Sequence, residues 1–162
     1  MKRTISVTFQ DRVDLVEPSN NNRQKSFSHT DFLDFDKKAR EKAKKYLQSA
    51  GYKVEDNPDT YGVDLICECS HGRKFAVEVE VKKGWRGEFS FDTLHIPFRK
   101  EKFINGSTLF LVFSSNLYSV AIVTSDTLRK SPVVSVNNYK VEGKEKFFDV
   151  PVEKVKLVRL TF

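Results

Sequence analysis

Two short stretches concentrate the side chains that can do chemistry: Gly62-Val63-Asp64-Leu65-Ile66 and Phe75-Ala76-Val77-Glu78-Val79-Glu80-Val81-Lys82-Lys83. In the second, apolar and charged residues alternate, which is the period of a β-strand, whose successive side chains point to opposite faces. Phe75, Val77, Val79 and Val81 then share one face, and Ala76, Glu78, Glu80 and Lys82 share the other. Asp64 opens the preceding apolar strand, and Ser70-His71-Gly72-Arg73 between the two reads as a hairpin turn. Such a hairpin brings Asp64 to the end of the second strand, where Glu80 and Lys82 lie. Carboxylates from adjacent strands suit a hard cation such as Mg2+, which takes one or two of them and keeps several waters. An ion there polarises a phosphoryl oxygen and lowers the pKa of a bound water. A lysine beside it positions that water and offsets the charge that develops. Taken singly the signals are weak: charges alternating with valine also describe a half-exposed strand, and Gly-Val-Asp is ordinary turn chemistry. Their order and compact spacing are what carry weight.

The elements that must hold these residues are legible around them. Phe35, Ala39, Ala43, Tyr46, Leu47 and Ala50 form one stripe at helical spacing, with Thr30 or Asp31 as a cap, acidic Asp34 and Asp36 in the first turns, and Gly51 as the left-handed stop. Lys37, Lys38, Arg40, Lys42, Lys44 and Lys45 cover the rest of that helix, a solvated face or a nucleic-acid-facing one. Short strands are expected at 52–54 and 63–69, separated by a turn at 57–62, and a long one at 74–82. Leu109-Phe110-Leu111-Val112-Phe113 is a run of the kind buried on both faces of a sheet. A strand follows at 118–124, then a short helix from a Ser125-Asp126 cap to Lys130, with 132–136 and 147–160 extended or irregular. Residues 1–30 read as an alternating strand at 4–9 and a polar Ser- and Asn-rich linker, and 31–162 as one α/β (α+β) domain with a central sheet.

Bulk properties agree with one self-sufficient domain. The chain has 162 residues, with 14 Phe and 5 Tyr to bulk out a core. Lys and Arg total 28 against 22 Asp and Glu, a net charge of +6 that favours a polyanionic partner or decorates a solvated surface. Cys67 and Cys69 would point to one face of a strand, and His29, His71 and His95 show no zinc-ligand spacing around them. Free thiols in a reducing compartment are the expectation. No apolar run reaches the ~18 residues that a membrane helix needs, and no signal-peptide core follows Met1. No membrane partner is expected, and a cytoplasmic location is, or a host cell's cytoplasm if the protein is phage encoded.

A basic amphipathic helix, a Gly-x-Asp strand start, a hairpin and a Glu-x-Glu-x-Lys strand, in that order over residues 35–85, resemble the PD-(D/E)XK nuclease superfamily, which includes restriction enzymes and Holliday-junction resolvases. The resemblance implies a restriction-endonuclease-like mixed sheet flanked by helices. It implies a metal-dependent DNA endonuclease, phage or mobile-element encoded in the simplest case, hydrolysing phosphodiester bonds with Mg2+ or Mn2+. By position, Asp64 and Glu80 would be metal ligands and Lys82 the catalytic lysine, with Glu78 as a further ligand or supporting carboxylate. Relatives of the resolvase type also carry a Glu on the first helix; Arg40 stands at that position here, and Asp36 is the nearest substitute. The segment after the active strand supplies Trp85, to stack on a base or to pack, and Arg86, Arg99, Lys100 and Lys102 to clamp phosphates, with Lys38 and Arg40 on the helix. His95 is a further candidate base. The partners implied are duplex, branched or nicked DNA and a second copy of the chain to cut both strands. The competing function is a catalytically inactive nuclease-like module that binds DNA or protein. A basic RNA-binding sheet is a third, disfavoured because the aromatic strand 109–113 reads as buried.

Overall fold

The computed structural model describes residues 30–137 and 144–162, with side chains from residue 34 onward. The strand expected at 4–9, the polar linker, and the Thr30 and Asp31 side chains lie outside them. Helix α1 (Thr30–Ser49) buries Ala39, Ala43, Tyr46 and Leu47, the four inner positions of the expected stripe. Gly51, with φ +96°, ends it in the left-handed region; Ala50 already belongs to this turn and is exposed.

Strands β1 (Lys53–Asp56), β2 (Leu65–Glu68) and β3 (Lys74–Lys82) form an antiparallel meander, with Leu65 opposite Val77. Gly72, at φ +78°, turns the hairpin between β2 and β3. The second strand begins at Leu65 rather than Val63. The loop before it takes the backbone groups instead: the Asn57 side chain donates to the Val63 carbonyl at 2.9 Å, and the Asn57 N–H to the Asp64 carbonyl at 3.0 Å.

After β3 the chain forms β4 (Thr93–Pro97) and a 3-10 helix (Phe98–Phe103) before returning as β5 (Thr108–Ser114), parallel to β3 with Glu80 opposite Val112. Strand β6 (Ser119–Thr124), helix α2 (Ser125–Arg129), β7 (Val133–Asn137), β8 (Lys144–Pro151) and β9 (Lys156–Arg159) complete the described chain. The cap of α2 is Thr124, whose side chain accepts from the Thr127 N–H, one residue before the expected Ser125.

The main sheet is mixed and runs β1-β2-β3-β5-β6-β9; a second sheet runs β4-β8-β7. The protein is thus a single α/β domain, and among the described residues one face of its main sheet is covered by the long helix α1. Against α1 lie Leu65, Cys67, Phe75, Val77, Val79, Leu109, Leu111 and Phe113. On the other face, beside the short helix α2, whose Leu128 is buried there, the second sheet packs Leu94, Ile96, Phe148 and Val150 against Ala76, Phe110, Val112 and Val123. These four alternate along β4 and β8 with outward-facing partners such as His95 and Asp149. That two-residue period dictates a strand, and a strand covers a sheet face as well as a helix does.

Candidate functional site

The alternation of β3 survives folding. Val77 and Val79 face α1, while Ala76 faces the second sheet, and Glu78, Glu80 and Lys82 follow Ala76 at two-residue steps on that same face. One step beyond the Leu65–Val77 pair, the antiparallel register sets Asp64 across from Glu78. The β2 ladder stops at Leu65, so the next β3 amide that points its way, Val79 N–H, has no strand partner. The Asp64 Oδ2 takes it at 2.8 Å. Asp64 therefore completes the ladder with its side chain and is held against the peptide unit between Glu78 and Glu80. It is buried.

Glu78 is 1% exposed, whereas the Glu80 side chain is 24% exposed, so the acidic row runs from the interior to an open end. Between them sits a cation from outside the hairpin. The Lys100 ammonium donates to Glu78 Oε1 and lies 2.7 Å from Glu80 Oε1. In a 3-10 helix residues three apart eclipse, which places Lys100 and Phe103 on one side, and both are buried. Arg99, on the exposed side, reaches Glu80 at 3.9 Å and Glu145 at 3.6 Å.

Burial pushes the Glu78 carboxyl up to about 8; neighbouring Asp64 and Glu80 add to the shift, and Lys100 opposes it. For Lys100, burial favours loss of the proton, but Glu78 and Glu80 outweigh it and hold the ammonium above its ordinary value. Lys82 is half-buried with its ammonium 4.7 Å from the centroid of the Phe91 ring, and desolvation lowers its pKa. Among the described residues Lys82 makes no ion pair.

The structure thus brings together Asp64, Glu78, Glu80 and Lys82 on one face, and adds Lys100. It separates several residues grouped with them by sequence. Lys100 was expected at a phosphate and is instead buried between two carboxylates. Trp85 was expected to be able to stack on a base; it is 2% exposed, its indole N–H bonded to the Gly87 carbonyl and its ring edge-on to Phe89. Its carbonyl receives the Ser115 N–H at 2.8 Å, so it pins the exit of β3 to the end of β5. Asp36 and Arg40 pair with each other along α1 at 3.8 Å, and α1 packs on the opposite face of the sheet, so neither supplies the helix carboxylate to this row. Arg86 and Lys38 are exposed, and Lys102 lies against Phe103. His95 sits on the outward face of the second sheet, its Nε2 2.9 Å from Asp149 Oδ1, turned from the acidic row.

One feature of the sequence points to an inward Lys100: Lys100 and Phe103 stand three apart, behind a proline that starts a turn of helix. In a Phe-Arg-Lys-Glu-Lys-Phe stretch, nothing in the residue types separates the inward lysine from its exposed neighbours.

Among the described residues no group of three or more His, Cys, Asp or Glu stands arranged to hold a metal ion. The donor chemistry nevertheless fits a hard divalent cation. The donors are carboxylate oxygens, and Glu78 Oε2 is buried with no hydrogen-bond partner, an orphaned acceptor of the kind that a cation satisfies. No protein-family model matches the chain, and a comparison with curated proteins finds none that matches. No described helix is long and apolar enough to cross a membrane.

Proposed function

We propose that the protein is a metal-dependent DNA endonuclease of the PD-(D/E)XK type, with Asp64, Glu78 and Glu80 as the residues that would hold Mg2+ or Mn2+ and Lys82 as the catalytic lysine. The observation that carries this is the Asp64 carboxylate bonded to Val79 N–H, which fixes it beside the Glu78–Glu80 pair on a face that stability alone would fill with apolar residues. A bound divalent ion supplies Lewis acidity toward a phosphoryl oxygen and a more acidic water. The chain's own part is positional. Glu80, at the exposed end of the row, is the carboxylate that a substrate phosphate approaches first. Lys82, two residues further along the same face, has its proton loosened by desolvation and is suited to hold or pass a proton at the attacking water. Arg99, which is exposed, and Arg86 provide positive charge for the flanking phosphates. The net charge of +6 suits a polyanion, and hydrolysis on this plan leaves a 5′-phosphate. A cytoplasmic setting and a homodimer that cuts both strands belong to the same proposal.

The test is incubation of supercoiled plasmid with the protein and Mg2+ or Mn2+, beside Glu80→Ala and Lys82→Ala. Wild type converts supercoiled to nicked circles, and each variant is slower by about 10²-fold or more. Nicking that survives both substitutions rejects this site. A second function, a nuclease-like module that binds DNA or protein without cutting, is favoured by one observation: Lys100 already pairs with both Glu78 and Glu80. Failure to cut linear, supercoiled, branched or single-stranded DNA with either metal would decide for it.

A further inference from the structure

The acidic row already holds a cation, and that cation belongs to the chain. Lys100 arrives from the 3-10 helix and not from the strands that carry the acids, so its ammonium can leave without disturbing the β2–β3 ladder. It engages one oxygen of each glutamate, Oε1 of Glu78 and Oε1 of Glu80. Oε2 of Glu78, inside the protein, is left with no hydrogen-bond partner, so the lysine does not exhaust what the row can bind. The stem is four flexible carbons, and the adjoining side chains, Glu80 at 24% and Arg99 at 59% exposure, mark a route to water. A divalent ion at carboxylate-bonding distance from the same oxygens would stand within a few ångströms of the ammonium, and two cations at that range repel strongly in a poorly solvated pocket.

We propose that Lys100 is an exchangeable counter-ion: its ammonium holds Glu78 and Glu80 together in the metal-free protein, and a divalent cation displaces it from these oxygens toward solvent. This rests on the metal-dependent function proposed above and adds a gate to it. The carboxylates are never left facing one another without a cation between them, and metal entry is opposed by a competitor built into the fold. The apparent affinity for metal is then weaker than the carboxylates alone would give, and it is set by how readily one side chain withdraws.

The experiment is titration of the full chain with Mn2+, followed by the loss of the free-ion electron spin resonance signal, for wild type, Lys100→Arg and Lys100→Met. Removing the competitor in Lys100→Met tightens Mn2+ binding by about tenfold, while Lys100→Arg, which keeps the charge, stays near wild type. Equal or weaker binding by Lys100→Met overturns the exchange and leaves the metal site standing. No Mn2+ uptake by wild type or by either variant rejects the metal site and the exchange with it. Because Lys100→Met can fail to fold, a second measurement uses wild type alone. Acetylation by an amine-reactive reagent is read by mass spectrometry, with the exposed Lys130 as internal standard. Lys100 is protected without metal and is labelled several-fold faster at saturating Mn2+; unchanged protection while Mn2+ is bound overturns the exchange.

Discussion

Lys44 and Lys100 each bridge two carboxylates, and the contrast between them separates decoration from a site. Lys44, on α1, lies 3.3 Å from Glu41 Oε1 and 2.6 Å from Asp56 Oδ2, and both partners are more than half exposed. Lys100, under the second sheet, bridges Glu78, which is 1% exposed, and Glu80. At the surface, water and salt screen such contacts, and each is worth about 0–1 kcal/mol. In the interior, the loss of hydration costs so much that an apolar replacement of similar volume is often as stable or more so. The neighbours show that such a replacement is available: Ala76, Phe110 and Val112 fill the same face. The charges under the second sheet are thus poorly explained by stability, whereas those on α1 need no other explanation.

The comparison is broken or sharpened first at Lys100 itself. Lys100→Met, without metal and at about pH 9, where taking up a proton costs Glu78 more than at neutral pH, is expected to cost about 3–5 kcal/mol by urea unfolding, as the loss of one partner of a buried pair does. A loss below about 1 kcal/mol would put Lys100 in the same class as Lys44 and remove the contrast. Next comes the apolar face. Leu111 is fully buried against α1, and Leu111→Ala is expected to cost about 3 kcal/mol through lost burial and a cavity. Plasmid nicking per folded molecule stays unchanged, since that face bears on packing alone. A nicking defect out of proportion to the folded fraction would show that the two faces are not separable.

What the sequence made legible follows the same division. Where a residue's role depends on local period it could be read: the α1 stripe, the stop at Gly51, the bounds of β3 at Lys74 and Lys82, the double burial of β5, and the shared face of Glu78, Glu80 and Lys82. Where it depends on what a distant segment does, it could not. The second sheet pairs β4 with β8, so that His95 meets Asp149, a contact more than fifty residues away that no local pattern announces. Lys100 looked like a phosphate clamp because lysine is read as exposed unless a partner is known, and its partners come from another element. Trp85 was ambiguous for the same reason, and the loop that buries it decided the matter. For the acidic row, the sequence pattern points Asp64 toward Glu80; the register sets it across from Glu78, where its carboxylate stands in for the missing β2 partner of the Val79 N–H.

A smaller effect distinguishes the two regions by pH. Burial raises the Glu78 carboxyl to about 8, from an ordinary value of 4.5. The folded state therefore binds a proton that the unfolded chain has released, and between these values stability falls as pH rises. The contribution is fully present below about 4.5 and is lost on passing 8, with a slope of up to about 1.4 kcal/mol per pH unit. Glu78→Gln, neutral throughout, is expected to flatten that slope in urea titrations taken across the range. An unaltered slope would show that Glu78 is ionised in the folded protein throughout and that Lys100 alone sets its charge.

The smallest expected effect is at Lys44, and its smallness is the point. Asp56, its strongest partner, raises the Lys44 pKa through a direct hydrogen bond, yet both acids it meets remain hydrated, so most of what Lys44→Ala removes is returned by water. The substitution is expected to cost about 0.5 kcal/mol and no more than about 1 kcal/mol. The difference should shrink as salt is raised from low to about 1 M, where screening acts over ~3 Å. Lys100→Met should show much less of a decline, because Lys100 and Glu78 are buried and buried pairs are screened far less by salt. If both lysines lose their effect together on adding salt, then Glu78 and Glu80 lie in a far wetter environment than their burial describes, and the case for a functional site on that face weakens to the level of the exposed pair on α1.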